Sequence, residues 1–75
     1  MLPNNERMEP QANDLVIYEA ADSTWELSAF PWRRLGVYTA FQHVMDVAIL
    51  LARQEHIDLW HTTDQRGFRQ LIVHR

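Results

Sequence analysis

The sequence contains no cysteine, no lysine and only two glycines. Without cysteine the chain has no disulfide, no thiolate metal site and no cysteine nucleophile. Two glycines leave little scope for a loop that cradles phosphate, and the spaced motifs of serine hydrolases and zinc proteases are missing. The longest apolar run, residues 47–52, is far shorter than the roughly 20 residues that cross a bilayer. The sequence therefore predicts a protein outside these enzyme classes that does not enter a membrane.

The composition is typical of one small globular domain. The chain has 75 residues and a mass of 8.9 kDa, which leaves room for a single core. Apolar residues make up 47% and charged residues 23% of the chain, a balance that opposes disorder. The first residues have neither the cationic nor the apolar segment of a secretion signal, so we expect a cytoplasmic protein.

Charge is distributed unevenly along the chain. Residues 1–30 carry six acidic residues and one arginine, whereas residues 31–75 carry six arginines, four acidic residues and all four histidines. The net charge of −3 disfavours nucleic acid, whose binding depends on many cations, but the second segment keeps that function open. Every basic residue is arginine, which suits bidentate or stacking contacts; the codon bias of a GC-rich genome would give the same composition.

The first part of the chain predicts a tail and a β-hairpin. Residues 1–13 show no periodic apolar pattern, and we interpret them as a flexible N-terminal tail. Residues 15–18 form a β-branched and aromatic run, residues 21–23 have turn chemistry, and residues 24–29 alternate with period two, as expected of two paired strands.

A helix is predicted over residues 40–55, after a connector at 31–38. Thr39 and Gln42 have the spacing of a capping box, in which each side chain bonds the other residue's amide. The apolar arc of this helix is roughly 200° wide, about twice what packing on one sheet needs. Val47 and Leu50 extend it onto the polar side, so either the rest of the chain or a second subunit must cover them.

Two more strands are predicted after the helix. Residues 57–61 have strand propensity, residues 64–67 form a turn with Gly67 available for positive φ, and residues 68–73 form the last strand. The predicted architecture is a single α+β domain over residues 14–75, in ββαββ order, with an antiparallel sheet and the helix packed on one face.

Short apolar and turn positions over residues 15–73 carry a resemblance to a known family. They are Trp25-x-Leu27 in the hairpin, Leu51-Ala52-Arg53 at the end of the Thr39-capped helix, Leu59-x-His61, and Gly67 in the last turn. In this pattern the chain resembles a family of small uncharacterised bacterial domains, domain of unknown function 2188. The resemblance implies a fold order and no catalytic residues.

Metal binding and catalysis find little support in the sequence. Among the four histidines only His43 has a suitable neighbour, Asp46, on the same helix face, and no pair has the spacing of a zinc site. Glu55, His56 and Asp58 cluster at the helix end, where charges are usually solvated. We therefore expect no metal, no cofactor and no enzymatic activity.

The segment Phe30-Pro31-Trp32-Arg33-Arg34 is the most suggestive surface, and it has three interpretations. Trp32 caps the core, or it anchors a protein interface together with Arg33 and Arg34, or it stacks on bases. The leading hypothesis is a non-enzymatic interaction module that forms a homodimer through its surplus helix surface or an edge strand, or that binds another protein. Its interface residues would be Val47, Leu50, Trp32, Arg33 and Arg34. The alternative is a nucleic-acid-binding accessory or regulatory protein that uses Trp32, Arg33, Arg34, Arg66 and Arg69.

Overall fold

The computed structural model describes residues 9–74, which form one helix and a five-stranded sheet. The elements are β1 Leu15–Glu19, β2 Trp25–Ala29, β3 Arg33–Tyr38, α1 Phe41–Glu55, β4 Leu59–Thr62 and β5 Arg69–Ile72. The sheet order is β3-β2-β1-β4-β5, with β1 and β4 parallel and the other neighbours antiparallel. The predicted α+β class with a single helix is confirmed, whereas the purely antiparallel sheet is wrong.

The mixed sheet depends on β3, whose residues lie in the segment predicted to be a connector. Residues 33–38 carry two arginines, a glycine and no regular alternation, so they have no clear strand signal. They nevertheless pair with β2, with an irregularity that leaves Leu35 as an extra residue between Gly36 and Arg34. Because β3 runs in the same direction as β1, a helical crossover from β3 returns the chain parallel to β1, as β4.

The helix ends at the predicted residue, Glu55, but begins one residue later than predicted, at Phe41. Ala40 is the N-cap residue and makes no side-chain cap hydrogen bond. The side-chain amide of Gln42 donates instead to the Asp46 carboxylate at 2.8 Å. The predicted capping box of Thr39 and Gln42 is therefore wrong, because Gln42 finds its partner one turn further along the helix.

The helix covers one face of the sheet, called here the helix face. Small side chains at Ala48 and Ala52 let the helix approach the strands closely. Val47 is partly buried and packs against the core between helix and sheet. The rest of the same chain therefore covers part of the wide apolar arc of the helix. The fully buried core residues are Leu15, Ile17, Leu27, Val44, Ala48, Ala52 and Leu59.

Aromatic rings cover the opposite face, called here the second face. Val16 and Trp60 are buried on this side of the sheet, and rings from the β2–β3 and β4–β5 connections lie over them. Trp32 stacks on Phe68 with ring centroids 6.2 Å apart and planes at 30°. Five residues, called here the aromatic cluster, have neighbouring ring centroids 5.9–6.5 Å apart: Tyr18, Phe30, Trp32, Trp60 and Phe68.

The turn between β4 and β5 is held by a carboxylate. Asp64 Oδ1 accepts the amides of Gly67 and Arg66, each at 2.9 Å, and these hydrogen bonds lower the pKa of Asp64. The ionised group therefore favours the folded turn above its usual pKa, and this contribution fades as the pH falls through the lowered value. Gln65, with φ of 63°, adopts the left-handed conformation predicted for Gly67, because the carboxylate fixes the turn around it.

The stretch before β1 contacts the domain where the structure describes it. Pro10 is buried, the amide of Gln11 donates to the Asp14 carboxylate at 3.0 Å, and the amide of Asn13 donates to the Phe30 carbonyl at 3.0 Å. The remainder of the predicted tail, residues 1–8, lies outside the described residues. Within residues 9–74, no helix is long and apolar enough to span a membrane.

Candidate interaction surfaces

The outer edge of β3 is an exposed strand with apolar side chains. Leu35 is 40% and Val37 49% exposed, and Arg33 and Arg34 are exposed beside them. An edge strand leaves part of its backbone donors and acceptors unpaired, which makes it a template for pairing with another chain. The sequence did not indicate this surface, because residues 33–38 lack the regular alternation of a half-buried strand and the segment was predicted to be a connector.

The charges around β3 are arranged differently on the two faces. On the second face, Arg34 Nε lies 3.5 Å from Glu26 Oε1 in an exposed ion pair. On the helix face, Arg33 lines a cleft of about 420 Å³ between β3 and the second half of the helix. Leu35, Leu51 and Glu55 are among its other lining residues. We call this cleft the β3 cleft; it carries a cation, an anion and apolar walls.

A second cleft lies on the helix face near the opposite edge of the sheet and is called here the β5 cleft. Its volume is about 500 Å³. Trp25 and Phe41 form one wall, with ring centroids 4.8 Å apart. Its lining residues are Glu19, Trp25, Phe41, His61, Arg69 and Leu71.

The helix surface that the sequence predicted as an interface is mostly polar. Leu50 is 53% exposed, which fits a contact position, but its neighbours one turn away in either direction are Asp46 and Gln54, with His43 also on this side. The helix therefore presents Leu50 as a single apolar side chain and not as part of a broad apolar patch.

The arginines of the predicted nucleic-acid surface are dispersed. Trp32 and Arg34 lie on the second face. Trp32 is 39% exposed and stacks on Phe68 of the aromatic cluster. Arg33 lines the β3 cleft, and Arg69 lines the β5 cleft near the other edge. Arg66 lies in the β4–β5 turn. Of this set only Trp32 and Arg34 lie on the same face of the sheet, and Arg34 is paired there with Glu26.

Two buried carboxylates have structural roles, and one of them, Asp58, belongs to the charged cluster predicted at the helix end. Asp58 is buried and accepts the side-chain amide of Gln70 at 2.9 Å and the backbone amide of His74 at 2.8 Å. Asp14 is also buried and accepts the indole N–H of Trp60 at 3.1 Å. Among the described residues no group of three or more histidine, aspartate or glutamate side chains could hold a metal ion.

Comparisons with protein-family models, with curated proteins and with solved structures find no match. The resemblance to domain of unknown function 2188 accordingly stays a prediction.

Proposed function

We propose that this protein is a non-enzymatic interaction module that forms a homodimer by antiparallel pairing of its β3 edges. The observation that carries the proposal is the exposed edge of β3, where Leu35 and Val37 are 40% and 49% exposed. Pairing two such edges would satisfy their free backbone groups and join two five-stranded sheets into one.

The sequence of β3 suits a second copy of the same strand. With the two-fold axis between Leu35 and Gly36, Arg34 of each copy lies opposite Val37 of the other, and Arg33 lies opposite Tyr38. Like charges that face each other across a strand pair are unfavourable. This register avoids such a contact. An interface built on one strand is smaller than the roughly 800 Å² per partner of a standard complex, so we expect a weak, concentration-dependent dimer.

The same register supplies a sharp test of the dimer. Val37→Lys places a cation opposite Arg34 of the other copy, so this variant should remain a monomer of 8.9 kDa at every concentration. Val37→Thr keeps a β-branched side chain of similar size at the same position without adding a charge, so this variant should dimerise nearly as well as the wild type. Sedimentation equilibrium over a range of concentrations measures both, and the wild type should approach twice the monomer mass.

Leu50→Lys is the matched control on the helix, because Leu50 is 53% exposed and the charge change is the same. We expect it to dimerise like the wild type. If Leu50→Lys alone gives a monomer, the helix surface is the interface and the β3 proposal is wrong. A wild type that stays monomeric at high micromolar concentration would also refute it.

Nucleic-acid binding is the second candidate, and exposed Trp32 beside Arg34 on the second face favours it. Fluorescence anisotropy with labelled single- and double-stranded DNA and RNA should then show binding that weakens steeply as salt is raised. Trp32→Ala should weaken binding to single strands, because stacking on a base is lost. Arg53→Gln, on the exposed side of the helix, is the control. No binding at low salt would remove this candidate.

A further inference from the structure

The β5 cleft combines apolar walls with a cation that has no partner in the described structure. Phe41 is 46% and Leu71 36% exposed, and both line this cleft with Trp25. The Arg69 guanidinium makes no hydrogen bond or ion pair with another residue of the described segment 9–74. Two aromatic rings, a leucine and an available guanidinium thus border one concave surface.

The acidic residue of the cleft, Glu19, lies beside His61 within the same cleft. His61 Nε2 lies 3.9 Å from Glu19 Oε1, and His61 pairs with Arg69 across the β4–β5 ladder. Because β4 lies between β1 and β5, the backbones of Glu19 and Arg69 are two strand spacings apart across the sheet, about 10 Å, and Glu19 lies two residues further along β1 than Ile17, the residue in register with His61 and Arg69. No ion pair joins Glu19 to Arg69 within residues 9–74, so Arg69 remains available for an anion from outside.

We propose that the β5 cleft binds a small carboxylate with an apolar body, such as an aryl- or alkyl-substituted short-chain acid. The planar guanidinium of Arg69 would hold the carboxylate through two parallel hydrogen bonds. Trp25, Phe41 and Leu71 would cover the apolar body, and the cleft volume of about 500 Å³ lies in the range of small-molecule sites. The cleft is near the edge opposite β3, so this proposal stands or falls independently of the dimer.

The experiment is a titration of the full chain, followed by backbone and indole NMR shifts, with three probes. The probe 3-phenylpropanoate carries both the ring and the charge, 3-phenylpropanamide keeps the ring without the charge, and acetate keeps the charge without the ring. We expect 3-phenylpropanoate to shift the signals of Trp25, Phe41 and Leu71. The amide should bind about tenfold more weakly or worse, because it loses a charged hydrogen-bond pair. Acetate should also bind about tenfold more weakly or worse, because it has no apolar body to bury against Trp25, Phe41 and Leu71.

Two variants locate the recognition of charge. Arg69→Gln should reduce the affinity for 3-phenylpropanoate about tenfold and leave the weak binding of the amide unchanged, whereas Arg53→Gln on the helix should change neither. Equal binding of acid and amide, shifts centred outside the β5 cleft, or no shift at millimolar 3-phenylpropanoate would each overturn the proposal. The comparison of acid with amide uses the wild type, so it decides the question even if a variant is poorly folded.

Discussion

Replacing Trp60 with alanine is expected to lower the free energy of unfolding by about 4 kcal/mol, the usual cost of removing a large buried ring. Trp60 is 1% exposed, contacts Phe68 with ring centroids 6.5 Å apart and donates its indole N–H to Asp14. A single core in a chain of this size rarely supplies more than about 3–5 kcal/mol of stability, so Trp60→Ala should be close to unfolding at room temperature.

The measurement is urea unfolding followed by far-ultraviolet circular dichroism. Trp32→Ala is the matched control, because Trp32 belongs to the same aromatic cluster but is 39% exposed; it should cost about 1 kcal/mol. If the alanine variant of Trp60 does not fold, Trp60→Phe keeps most of the ring and measures the loss of the hydrogen bond to Asp14. A loss for Trp60→Ala of only about 1 kcal/mol, as small as that expected for Trp32→Ala, would contradict a buried core on the second face.

This contrast also decides between two interpretations of Trp32. A small loss on Trp32→Ala would mean that the ring is largely surplus to folding, and that its exposed part is available to a partner. A loss as large as that of Trp60 would make Trp32 a core residue and would remove the main support for nucleic-acid binding.

The elements that the sequence predicted correctly are those with a strong local pattern. The alternation in residues 24–29 and the helical spacing over residues 40–55 reflect burial on one side, and the structure places β2 and α1 there. Strand β3 was missed because an edge strand need not alternate: both sides of Arg33–Tyr38 are at least partly exposed. The parallel pairing of β1 and β4 could not be predicted without β3, because the direction of β3 determines the direction of the strand that follows the helix.

Two local predictions were wrong because the groups involved have more than one available hydrogen-bond partner. Gln42 has a helix partner in Asp46 that competes with the predicted cap. Gly67 was the obvious residue for positive φ, but Asp64 binds the amides of Arg66 and Gly67 and leaves the left-handed position to Gln65. In both cases the sequence shows which groups can bond but not which of them are brought together.

The candidate surfaces were only partly visible in the sequence for the same reason. Trp32, Arg33 and Arg34 are consecutive and draw attention as a motif. The β5 cleft joins side chains from β1, β2, α1, β4 and β5, and only the sheet order brings Arg69 onto the same concave surface as Trp25 and Phe41. No spacing in the sequence indicates that proximity.

The second large effect is expected for Asp14, a buried carboxylate that joins three parts of the chain. It accepts the amide of Gln11 at 3.0 Å, the amide of Asp58 at 3.3 Å and the indole N–H of Trp60 at 3.1 Å. Asp14→Ala leaves these donors without this acceptor, two of them in the buried interior, and should lower the free energy of unfolding by about 3–4 kcal/mol. Asp14→Asn keeps the shape and one oxygen acceptor, so its loss should be smaller.

Hydrogen exchange separates this structural role from a general effect of charge. The amide of Asp58 should lose protection in Asp14→Ala, because its acceptor is gone and the start of the parallel β1–β4 pair is loosened. Asp46→Ala, which removes an exposed helix carboxylate bonded to Gln42, should leave that amide protected and the stability nearly unchanged. Equal stability of Asp14→Ala and the wild type, with Asp58 still protected, would show that the packing of β1 against β4 holds this end of the sheet without the carboxylate.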